Sequence, residues 1–205
     1  MKRKIILFVL LLLLVVGLSI VLIHREYSPE NQKAIGNIYY LSPTGNDTNN
    51  GSTSSPWKTI SKADSVVQAG DTVIFKDGIY PVGYDTGKSY GERITKSKTT
   101  WRAENKHKAI IDGELGPESF KGRPHWDVLK VYKENISQTH QWYNMVYATD
   151  VTDITFDGLA FVNSPGRGLT IHQATQEAPL ENIVVKDCWF DFNWDVSFLI
   201  VPYKK

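Results

Sequence analysis

The side chains in this 205-residue chain that are of a type to bind or transform a ligand are few, and most stand near its C-terminus. Arg167 can hold a carboxylate, or pair with Asp195. His172 alternates with Leu169 and Ile171, which turns its imidazole away from the core those two face; it is either a ligand-facing group or an ordinary surface histidine. Trp189 stands between Cys188 and Phe190 with the outward sense, so its indole can stack on a sugar ring or pack under a loop. Asp191, Asn193 and Asp195 occupy alternate positions of one turn, and Asp and Asn are favoured in turns whatever else they do. Tyr132, Trp142 and Tyr143 form either a carbohydrate platform or the packing of a loop. The histidines (His24, His107, His125, His140, His172) contain no H-x-x-x-H pair, and Cys188 is the only cysteine. An internal disulfide and a cysteine-based zinc site are excluded, a zinc enzyme is disfavoured, and Cys188 reads as a small core residue.

These groups need elements to hold them, and the C-terminal part shows how. Residues Asp153-Ile154-Thr155-Phe156-Asp157-Gly158-Leu159-Ala160-Phe161 align without a gap on Asn182-Ile183-Val184-Val185-Lys186-Asp187-Cys188-Trp189-Phe190. The offset of 29 pairs Ile154 with Ile183, Phe156 with Val185, Leu159 with Cys188 and Phe161 with Phe190, and then Leu169 with Phe198 and Ile171 with Ile200. Apolar positions stacked at a fixed period of this size mark a solenoid. Each coil is expected to hold three short strands, at residues 154–156, 159–161 and 169–171, with Gly166 and Gly168 turning the backbone before the third. Residues 114–150 fit the repeat poorly and carry Trp126, Tyr132, Trp142, Tyr143 and Tyr147, so they read as a coil with an inserted aromatic loop.

The N-terminal part differs. Residues 5–23 form an apolar run of 19 residues broken only by Gly17 and Ser19, behind Lys2, Arg3 and Lys4 and with no small-x-small site after it. That length suits an uncleaved membrane anchor or a long signal peptide, and the basic start places the body outside the cell. Residues 1–25 are thus a signal anchor or signal peptide, 26–37 a polar tether and 38–205 one folded domain. Without Lys2, Arg3, Lys4 and Arg25 the body has 19 basic against 22 acidic side chains, which argues against a nucleic-acid partner. Asn46, Asn50 and Asn135 lie in sequons that matter only in a glycosylating host.

Within the body, Ile38-Tyr39-Tyr40-Leu41 reads as a strand, residues 46–56 as a loop of turn formers, and residues 59–69 as a helix capped by Thr59. Its face of Ile60, Ala63, Val66 and Val67 suits a cover for the end of a solenoid, and Gly70 stops it. Val73-Ile74-Phe75 is the next strand. The whole segment, YYLSPTGNDTNNGSTSSPWKTISKADSVVQAGDTVIFKDGIY at residues 39–80, resembles the opening of pectate-lyase-like proteins of the polysaccharide lyase family 9 kind. Thr100-Trp101-Arg102-Ala103 and Ala109-Ile110-Ile111-Asp112-Gly113 resemble their next coil.

The resemblance implies an all-β, right-handed parallel β-helix with an N-terminal capping helix. It also implies an extracellular protein acting on an acidic polysaccharide by β-elimination, with calcium gripping the uronate and a lysine or arginine as base. The groove would run along the sheet at residues 168–173 and 197–202. There Asp191-Phe192-Asn193-Trp194-Asp195 resembles a turn whose aspartate is a calcium ligand, which makes Asp195 the first metal candidate and Asn193 and Asp191 its companions. Arg167, His172 and Trp189 are the candidates for binding substrate, and no residue is identified as the base. Family lyases have many more coils, so this chain reads as a truncated product or fragment. Its unpaired edge at Phe198–Val201 is expected to self-associate. The alternatives are a non-catalytic carbohydrate-binding or adhesive surface solenoid and an inactive fragment. A polygalacturonase-type hydrolase is disfavoured, because no N-x-D, D-D and G-H-G cluster is present.

Overall fold

A computed structural model describes residues 36–82, 90–113, 143–164, 166–177, 179–191, 193 and 196–203. The apolar run at 5–23, the tether up to residue 35, and Tyr132, Trp142 and Asp195 lie outside the described residues. Among the described residues no helix is long and apolar enough to cross a membrane.

The chain from Gly36 onward is one compact unit. Its elements are β1 (Ile38–Leu41), α1 (Ile60–Val66), β2 (Thr72–Phe75), β3 (Gly78–Pro81), β4 (Tyr90–Ile94), β5 (Thr100–Ala103) and β6 (Ala109–Asp112). After these come β7 (Asn144–Thr149), β8 (Thr155–Asp157), β9 (Ala160–Val162), β10 (Arg167–His172), β11 (Val184–Lys186), β12 (Trp189–Asp191) and β13 (Phe198–Val201). Apart from β1 and β2, which pair across the intervening helix, consecutive strands do not pair with each other. They fall in turn into sheet A (β1-β2-β5-β8-β11), sheet B (β3-β6-β9-β12) and sheet C (β4-β7-β10-β13), and every strand pair is parallel. This is the parallel β-helix, and an ordinary β-α-β layer is ruled out. The 29-residue register holds in all three sheets, with Phe156 beside Val185, Phe161 beside Phe190, and Leu169 and Ile171 beside Phe198 and Ile200.

Inward side chains stack from coil to coil. Trp101 lies beside Val73 and Phe156 in sheet A, and its indole N–H donates to Thr99 Oγ1 at 2.9 Å inside the core. Phe161, Phe190 and Phe198 form a stack with centroids 5.1 and 5.8 Å apart. No buried side-chain nitrogen or oxygen among the described residues lacks a hydrogen-bond partner. The last coil differs from the one before it. Ile154, Leu169 and Ile171 are wholly buried, whereas Ile183 and Phe198 are only partly buried and Ile200 is 44% exposed.

The corners explain the turn residues. Between sheets C and A, Gly70, Lys98, Asp153 and Asn182 all have positive φ, from 51° to 96°, one per coil. Gly70 and Lys98 donate their N–H groups to carbonyls of the next coil, as does Asp153 to Glu181 O. Asn182 Nδ2 also donates to Asp153 Oδ1 at 2.7 Å, so the short polar side chains that tolerate this backbone also tie the coils. Gly158 and Asp187 repeat the device at the A-to-B corner.

Two expectations are corrected. Helix α1 ends at Val66 rather than at residue 69, because Val67 turns to ψ 149° and Gly70 serves a coil corner instead of a helix stop. Its Thr59 cap accepts from Lys62 N–H as expected, and Ile60, Ala63 and Val67 join the core. Gly168 does not turn the chain: it lies within β10, where an added Cβ would sit 2.5 Å from Ser197 O and 3.0 Å from Asn193 Nδ2. Close approach of the next coil is what demands glycine there.

Candidate functional site

The sequence candidates lie in three places. Trp189 is on the outer face of sheet B, half exposed, with His107 edge-on to it at 5.9 Å. The backbone carbonyl of Asp187 takes His107 Nε2, and its carboxylate meets Lys106 Nζ at 2.7 Å, which holds that carboxyl below its ordinary value. This corner is satisfied within itself.

The B-to-C corner holds Asp191, Asn193 and Arg167. Asn193 Nδ2 donates to Phe161 O at 3.0 Å, and its Oδ1 accepts from Ser164 N–H at 3.1 Å. Its amide therefore joins two coils. Arg167 opens β10, with its N–H on Tyr143 O and its carbonyl accepting from the Ser164 hydroxyl. Asp191 closes β12 beside Val162. Among the described residues no group of three His, Cys, Asp or Glu side chains is placed to hold a metal ion. Asp195, the first metal candidate, lies outside the described residues; at this corner Asp191 offers a carboxylate, while the Asn193 amide is committed to the contact between coils.

His172 closes β10, five residues beyond Arg167, so roughly 16 Å of strand separates the two. They do not share a site. His172 meets instead a residue of the preceding coil: its Nδ1 and the Tyr147 hydroxyl share a hydrogen bond, and the rings stack at 5.7 Å. Tyr147 stacks in turn on Tyr90 of β4, with centroids 5.9 Å apart and planes 15° from parallel. The guanidinium of Arg93, in register with Tyr147, lies 6.0 Å from the Tyr90 ring centre. Burial pushes the Tyr147 phenol above its ordinary value; the Thr149 hydroxyl and Arg93 pull it down, and Asp150 adds to the rise. The phenol stays protonated and is a donor at neutral pH.

Parallel pairing puts these groups together. Tyr147 lies between Arg93 and Thr170 in the ladder of sheet C, and His172 lies two residues beyond Thr170 on the same outward face. Thr149 and Thr170, which share this face, are buried under their neighbours. Sequence reasoning found His172, placed Tyr147 only within a coil carrying an inserted aromatic loop, and passed over Tyr90 and Arg93. Tyr147 lies 54 positions from Arg93 and 23 from Thr170, so a 29-residue period cannot align them.

The fold has relatives. Over 151 residues the chain is 39% identical to pectate lyase L of Dickeya dadantii (strain 3937), covering 66% of this chain and 33% of that protein. Among solved structures it resembles the pectate lyase Pel9A (TM-score 0.53, 21% identity, 78% of this chain and 35% of that one). It also resembles a GH136 lacto-N-biosidase from Eubacterium ramulus (TM-score 0.50, 14% identity, 80% and 35%). At such identities these two show the fold alone, and the chain spans about a third of the length of each of these three proteins. The family described as "Pel9A-like, right handed beta helix region" matches residues 39–197, and the chain belongs to this family of right-handed β-helix proteins.

Proposed function

We propose that this chain belongs to an exported polysaccharide lyase that binds a uronate polymer along the outer face of sheet C and cleaves it by β-elimination. The observation that carries this is the 39% identity over 151 residues to a pectate lyase. In that reaction a base takes the proton on the carbon beside the carboxylate. The electron pair forms the new C=C bond, and the glycosidic oxygen leaves. The hard step is stabilising charge on the carboxylate side, so a cation beside the sugar acid is the first requirement. No described residue is assigned as the base.

Export is supported by the apolar run at 5–23 behind three basic residues. Self-association belongs to the same proposal and is supported by the half-exposed inward side chains of the last coil, Ile200 among them.

The test is to incubate the exported part with polygalacturonate and calcium and to follow the ultraviolet absorbance of the unsaturated product. A steady rise supports the proposal. Polymer retained without product would replace it with a non-catalytic carbohydrate-binding solenoid. A calcium requirement, which the resemblance implies through Asp195, is read in the same assay by adding a chelator.

A further inference from the structure

We propose that Arg93, Tyr147 and His172, braced by Tyr90, form a subsite for one carboxylate-bearing sugar residue on sheet C; this rests on the uronate-polymer reading above. Arg93 is exposed, its guanidinium lies over the Tyr90 ring, and its charge also acts on the Tyr147 phenol. A guanidinium laid against an aromatic ring keeps its planar N–H fork for an incoming acid, and that fork matches a carboxylate in a two-point bond.

The aromatic groups fix the shape of the subsite. Tyr90, Tyr147 and His172 stack across three successive coils, one from each of β4, β7 and β10. Strand spacing makes that column roughly 10 Å long, running across the strands and along the solenoid axis. Because the ring faces are used on one another, the column offers edges and polar tips to a sugar instead of a stacking platform. The Tyr147 hydroxyl and His172 Nδ1 are joined, which holds both rings in place. An imidazole has a second nitrogen, which donates or accepts according to tautomer; sugar hydroxyls do both, so either tautomer serves. The ligand class follows: an acid group for Arg93, with hydroxyls on the neighbouring ring carbons for the Tyr147–His172 pair.

The test compares binding of polygalacturonate and of its fully methyl-esterified form to the exported part, at low and at raised salt. Wild type is expected to prefer the acid polymer, and Arg93→Ala to weaken binding of that polymer by about tenfold or more while leaving the ester unaffected. Arg93→Lys keeps the charge without the fork and should recover only part of the loss. Tyr147→Phe keeps the stack and loses the shared hydrogen bond, and it should weaken both polymers. Arg93 is exposed, so its variants are expected to melt with wild type, and a thermal melt checks this. Wild-type preference for the acid polymer with unchanged binding in Arg93→Ala would overturn the subsite and leave the uronate reading intact. Equal loss for acid and ester would overturn the role of Arg93 as carboxylate ligand. No binding of polygalacturonate by wild type would overturn the subsite and the uronate reading together.

Discussion

Replacing Thr99 by valine tests whether the stacked core depends on one polar contact. Thr99 is buried, and its Oγ1 accepts the Trp101 indole N–H at 2.9 Å while donating to Lys96 O at 2.8 Å. Valine has the same shape and no acceptor. The Lys96 carbonyl belongs to a partly exposed residue and can turn to water, but Trp101 is wholly buried and its N–H cannot. Stranding a buried donor costs about 1–3 kcal/mol. For a body of this size that is about 2–4 °C in Tm per kcal/mol. The assay is a two-by-two set of chemical melts: wild type, Thr99→Val, Trp101→Phe and both together. Trp101→Phe removes the donor and also leaves a void, so it is costly by itself. In its presence Thr99→Val should cost about 0–1 kcal/mol, because only the contact with Lys96 is lost. The coupling between the two changes is then about 1 kcal/mol or more, above the roughly 0.3–0.5 kcal/mol within which unrelated changes add. Strict additivity, or a Thr99→Val variant as stable as wild type, would refute the reasoning.

Three further outcomes follow from the same structure. Gly168→Ala should destabilise by about 1–3 kcal/mol through overpacking against Ser197 O, with faster amide exchange in β13 and none in β5; unchanged protection of β13 would contradict it. Burial tends to raise the Asp47 carboxyl, but the N–H groups of Lys58 and Thr59, the Thr59 hydroxyl and Lys62 pull it below its ordinary 3.8. A folded value below the unfolded one contributes stability above 3.8 that is lost as pH falls through the folded value, so Asp47→Ala should melt below wild type at neutral pH, with the gap closing in acid. A gap that stays constant with pH would contradict this. Under the proposed self-association, the partly exposed apolar side chains of β13 should make the mass seen by light scattering rise with concentration, and Ile200→Lys should suppress the rise.

The sequence alone determined the repeating part of this protein. A parallel coil places each inward side chain on its counterpart one period away, so the strands of residues 154–201 can be read from six apolar pairs at one offset. The corners were not read from the sequence: positive φ recurs once per coil at Gly70, Lys98, Asp153 and Asn182, and a lysine among them blurs any pattern of residue type. The local helix was legible through Thr59, though not its end, since Gly70 answers to the coil corner. Tertiary structure alone decided the rest. It separated Arg167 from His172 by the length of a strand, gave the Asn193 amide to coil stacking, and made Gly168 a point of contact. It also brought Tyr90, Arg93, Tyr147 and His172 to one face. Those four come from coils of unequal length, and hydrogen bonding between strands restores their alignment in space where no spacing along the chain could show it.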